Sequence, residues 1–150
     1  MKLILTDHRL LTLWAADCAE RVLLVFAAQR PDDERPHAAV AAARAWVGGD
    51  LSIFGARAAA FAAHAAARET DDEAARAAAR AAGHAAATAH VATHAPHVAA
   101  YALKAVADPE AERAWQLGQY PAHLPDVGVG RLLENLGHAP NGVLPELRAD

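Results

Sequence analysis

Gly83-His84-Ala85-Ala86-Ala87-Thr88-Ala89-His90-Val91-Ala92-Thr93-His94 lies mid-chain, in an alanine-rich run that begins near Asp72. Alanine is the best helix former, so the run reads as helix. It carries three histidines and two threonines but no side chain of fixed charge. These polar groups must face water or find partners inside, because a buried donor without a partner costs about 1–3 kcal/mol. Small alanine neighbours let helix axes approach closely, so the expected architecture is all-α. It is a single-domain bundle of about six helices with an irregular C-terminal tail.

Working outward, Pro96 removes a backbone donor and predicts a break just before it. A helix over about residues 97–107 follows, and Asp108-Pro109 starts another that ends near Gln119. Gly and Pro recur from Tyr120, with one short helix expected over 130–136 and an irregular tail over 137–150. The division is therefore a bundle over residues 1–119 and a Gly/Pro-rich extension over 120–150, packed on the same domain. On the N-terminal side, helices are expected over about 7–28, from Pro36 to Gly48-Gly49, and from the Ser52 cap to Arg68. No strand pattern is present.

The 150 residues suffice for one domain with its own core, although alanine inflates the 54% hydrophobic fraction. A net charge of −4 argues against nucleic-acid binding. The single Cys18 excludes an intramolecular disulfide framework, and no apolar run is long enough for a signal peptide or a membrane span. A cytoplasmic, soluble protein is expected, with alanine-rich faces that would also let two copies pair as a homodimer.

Helical wheels place polar groups on apolar faces. Leu10, Leu13, Trp14, Asp17, Arg21, Leu24 and Ala28 share one arc of the first helix, and Asp17 with Arg21 is expected as a buried pair four residues apart. Ile53, Phe54, Arg57, Phe61, His64 and Arg68 share a stripe of the third, and Arg44 flanks Val40 and Val47 on the second. If apolar faces meet, Asp17, Arg21, Arg44, His64, Arg68, His84, Thr88, His90 and His94 form a buried polar network or line a pocket.

Catalytic signals are weak. His90 and His94 are one helical turn apart, as a metal pair requires, with His64 or Asp17 as a third ligand. Val91, however, stands where a His-Glu-x-x-His motif has its glutamate. Cys18 lacks a nucleophile loop and reads as a structural thiol. No cofactor motif and no catalytic set emerges.

Leu13-Trp14-Ala15-Ala16-Asp17-Cys18-Ala19-Glu20-Arg21, Arg35-Pro36, Ala43-Arg44-Ala45-Trp46, Ala63-His64 to Arg68 and the Gly83–His94 stretch together resemble the Imm-5-like immunity proteins of bacteria, some relatives of which are labelled exonucleases. The resemblance covers about residues 10–107. It implies a non-enzymatic, all-helical cytosolic protein that neutralises a toxin by binding it. Three acidic clusters, Asp32-Asp33-Glu34, Glu69 with Asp71-Asp72-Glu73, and Glu110 with Glu112, would suit a basic partner. The alternative is a metal- or small-molecule-binding bundle, with an enzymatic role open to it, built on His64, His90 and His94.

Overall fold

The computed structural model describes residues 3–130, and the short helix expected over 130–136 and the tail beyond it lie outside or at the edge of these. Among the described residues seven helices follow one another: α1 (Leu5–Glu20), α2 (Leu23–Gln29), α3 (Arg35–Val47), α4 (Ile53–Arg68), α5 (Glu73–His90), α6 (Ala95–Lys104) and α7 (Pro109–Gln119). A 3-10 turn, Ala92–His94, joins α5 to α6. The described residues contain no strand, and none of their helices is long and apolar enough to cross a membrane.

Local signals explain most boundaries. Ser52 accepts the Gly55 N–H, Asp72 the Ala75 N–H and Asp108 the Ala111 N–H, so three helices begin with side-chain caps. Pro36, Pro96 and Pro109 sit in first turns, where their missing N–H costs nothing. Two breaks differ from expectation. The first helix splits at Arg21-Val22, where Val22 leaves the helical region (φ −111°, ψ 2°) and its N–H bonds back to Ala19. The run through Gly83 ends at His90 rather than nearer Pro96. Pro96 would clash with the carbonyl four residues back, and extended Val91 (φ −137°, ψ 115°) absorbs the change of direction.

Helix α5 is the central strut, packed against α1, α2, α3, α4 and α6. Its buried positions are alanine throughout except Gly83 and Thr88, so neighbouring backbones come close and the core is thin in large side chains. Trp14, Phe26, Leu11, Val22 and Val98 supply the bulk that remains. Trp14 also ties three helices together. Its indole N–H donates to the Gln116 carbonyl (2.9 Å), and the fully buried Gln116 amide donates to the Ala99 carbonyl (3.0 Å). Beyond α7, Leu124 and Val129 join the same core, so residues 120–130 pack on the bundle.

The buried faces are not the ones that bulk alone suggests. In α1 the inner face is Leu11, Trp14, Ala15, Cys18 and Ala19, while Asp17 and Leu24 of the expected arc point outward. In α4 the inner face is Ala56, Ala60, Ala63, Ala66 and Ala67. Alanine against alanine brings helices closer than Phe or Leu would, and here that packing decides which side faces in.

Candidate functional site

Six of the nine polar groups expected to form one network fall into three separate places, and Arg68, Thr88 and His90 lie outside them. At the first, Arg44 of α3 bridges Asp17 (2.9 Å) and Glu20 (2.5 Å) of α1 on the surface. At the second, Arg21 holds Glu112 of α7 through two hydrogen bonds of 2.6 and 3.0 Å, its guanidinium 3.9 Å from the Trp115 ring centroid. Asp17 and Arg21 are therefore not a buried pair. Asp17 has half its side chain in water, and the break at Arg21-Val22 turns Arg21 toward α7 instead. Nothing in the sequence links Arg21 to Glu112, which lies 91 positions away.

The third place is a cluster of imidazoles where α4, α5 and α6 meet. His84 is its hub. His64 approaches edge-on (centroids 4.9 Å apart), His94 and His97 lie at 5.1 and 5.4 Å, and Tyr101 stacks on His84 at 5.3 Å and 11°. His84 Nδ1 and His94 Nδ1 are 2.9 Å apart. One ring must donate there and the other accept, so at least one of them is neutral. The break at Val91 swings His94 back onto His84, while His90 ends α5 in solvent. His90 and His94 thus lose the one-turn helical spacing that a metal pair would use.

Gly83 makes room for this cluster. A β-carbon there would stand 2.7–2.9 Å from three atoms of the His64 ring, closer than side chains pack. Thr88 is satisfied locally, its hydroxyl donating to the His84 carbonyl (2.8 Å). Its own carbonyl accepts from His8 Nε2 (2.6 Å), a contact that ties α1 to α5. Arg68 is exposed at the end of α4. His8 could have been found from the sequence, since with Leu11, Thr12 and Ala15 it follows the i, i+3, i+4, i+7 spacing of a buried face.

Burial dominates the electrostatics. It pushes His64 down to about 4 and His84 down to about 2, with Arg80 and neighbouring histidines adding to the shift in both. Burial also lowers His94, helped by His97 and His90. At neutral pH these rings are uncharged. Among the described residues, no three His, Cys, Asp or Glu side chains converge as a metal site would require. His64 Nδ1 is buried and has no hydrogen-bond partner among the described residues, so packing against His84 and Gly83 positions that ring. Burial, reinforced by Asp17, raises the Cys18 thiol well above its ordinary range, which keeps it protonated and poorly nucleophilic.

The acidic clusters are partly engaged. Asp33 and Glu69 both bind Arg35, Asp72 caps α5, and Glu112 binds Arg21. Three of the nine acidic side chains expected to face a basic partner are thus ion-paired within the fold.

An all-helical, alanine-packed bundle with a half-buried histidine cluster is the class of protein that emerges. A sequence profile of the family described as Imm-5 like putative immunity protein matches residues 1–123, beyond the motifs at both ends, and the chain belongs to this family. Searches of curated proteins and of solved structures found no match.

Proposed function

We propose that this chain is an immunity protein that protects a bacterial cell by binding a toxin directly in the cytosol. Membership of the family over residues 1–123 is the observation that carries the reading. The geometry supports binding over chemistry: the Cys18 thiol is buried and protonated, and the clustered imidazoles face one another. In this reading the polar network is a structural device. Its histidines fix how α4, α5 and α6 meet, where alanine contacts alone would leave the register loosely specified.

The test is co-expression with candidate toxins drawn from the genes that flank this chain's own. Growth should be rescued, and the two proteins should elute together on a sizing column. Unrelieved growth arrest together with separate elution would refute the proposal.

A further inference from the structure

We propose that the outward face of α4, formed by Phe54, Arg57 and Phe61, is where the toxin docks, and that the toxin surface it meets is apolar and carries carboxylates. The proposal rests on the immunity reading and adds to it a face and a partner chemistry.

The starting point is where this chain spends its few large side chains. It has three phenylalanines. Phe26 is fully buried, but Phe54 is 74% exposed and Phe61 61% exposed. Helix α4 packs on α5 and α3 through its alanines, so most of each ring stands outside that packing. In a chain this rich in alanine, two phenylalanines facing solvent on one helix face call for a partner outside the bundle.

The geometry is that of an interface patch. Phe54 and Phe61 are two turns apart and therefore on one face, with Arg57 between them. The Arg57 guanidinium lies 5.4 Å from the Phe61 ring centroid, so ring and cation form one surface. Ile53 extends the apolar area at the N-terminal end, where the Leu51 side chain folds across Gly55. Aromatic side chains and arginine are the residue types that dominate binding hot spots.

Charge selects the occupant. Residues 51–68 contain Arg57 and Arg68 and no Asp or Glu, in a chain whose net charge is −4. Arg57 meets no carboxylate among the described residues, as is also true of Arg9, Arg68, Arg76 and Arg80, but Arg57 is the one that stands between two exposed phenylalanines. A second copy of this chain is a poor fit. Two-fold pairing of this face would set Arg57, midway between Phe54 and Phe61, beside its own copy with no acid to relieve it. A toxin surface with apolar contacts and carboxylates would satisfy both the rings and the cation.

The experiment compares the full chain with three variants of it: Phe54→Ser/Phe61→Ser, Arg57→Glu and Arg57→Lys. The probe is the purified, inactivated form of a flanking-gene toxin tested for rescue as above, and affinity, thermal unfolding and sedimentation are all measured. The double serine variant should bind at least about 100-fold more weakly with its Tm unchanged. Arg57→Glu should weaken binding about 10-fold or more, and Arg57→Lys should retain most of it. Undiminished binding by the double variant or by Arg57→Glu overturns the proposal. So does a Tm loss of more than about 4 °C in the double variant, which would show that the rings are covered within the fold. A wild-type dimer that the double variant dissociates would assign the face to a second copy and overturn it too. Failure of the wild-type chain to bind removes the immunity reading and this proposal with it. Equal binding by wild type and variants removes only the α4 assignment.

Discussion

His64 on α4 lies directly over Gly83 on α5, so that a β-carbon on Gly83 would stand 2.7 Å from Cε1 of the imidazole. Alanine at position 83 would gain about 1 kcal/mol of helix propensity but must displace the ring, at about 1–3 kcal/mol. Gly83→Ala is therefore expected to lower stability by about 1 kcal/mol in the wild-type background. With His64→Ala the obstacle is gone, and the same change should raise stability by up to about 1 kcal/mol. Urea unfolding of the four members of this cycle checks the reversal of sign. The same sign in both backgrounds would mean the ring is not held over Gly83.

The imidazole cluster predicts a stability that falls on mild acidification. His64 and His84 are held at about 4 and about 2, below the ordinary histidine value, so under mild acid the folded chain binds fewer protons than the unfolded one. Their contribution is complete above about pH 6.5 and shrinks as pH falls toward 4. The basic groups facing the cluster, Arg80 and Arg68, act in the same direction. Each histidine should remove about 2 kcal/mol between pH 6.5 and pH 5. Denaturant midpoints across this range measure it. His64→Gln/His84→Gln should flatten the slope, and a wild-type midpoint unchanged between pH 7 and pH 5 would contradict the assignment.

Two arginine–carboxylate groups separate buried from surface pairing. Glu112 has only a tenth of its side chain exposed, and Arg21 is its ion-pair partner among the described residues. Arg21→Gln should cost about 1–2 kcal/mol, moderated because Arg21 itself is 41% exposed. Arg44→Gln, whose partners Asp17 and Glu20 are more than half exposed, should cost under about 0.5 kcal/mol. Thermal unfolding at low and high salt distinguishes them, and equal losses would undo the contrast.

The helices were readable because capping and stop signals are local: Ser52, Asp72, Pro96 and Gly48-Gly49 mark ends without reference to the rest of the chain. Their inward faces were not readable. Wheel arguments assume that the largest apolar residues point inward; in α4 alanine does so instead, leaving Phe54 and Phe61 in solvent, and on α2 Leu24 points outward as well. The histidine cluster was half legible. His64, His84 and His94 stood out as polar groups in apolar company, but their meeting depends on the turn at Val91. Arg21–Glu112 depends on α7 returning across α1, which no local pattern encodes. The break at Arg21-Val22, with neither Gly nor Pro, carried no signal at all.

This inversion gives a prediction of its own. Ala85 is fully buried on α5, whereas Leu24 is 79% exposed. Ala85→Leu should cost about 1–3 kcal/mol or more through overpacking. Leu24→Ala should stay within about 0.5 kcal/mol of wild type. Chemical denaturation of both variants is the check, and a larger loss from the leucine truncation would mean that α2 packs on a different face.

The central claim is protection by direct binding, and co-expression with candidate toxins from the flanking genes followed by sizing chromatography tests it most directly. The prediction is restored growth and a stable complex containing both chains, lost when Phe54 and Phe61 are serine. Growth arrest that this chain does not relieve, with the two proteins eluting apart, would contradict it.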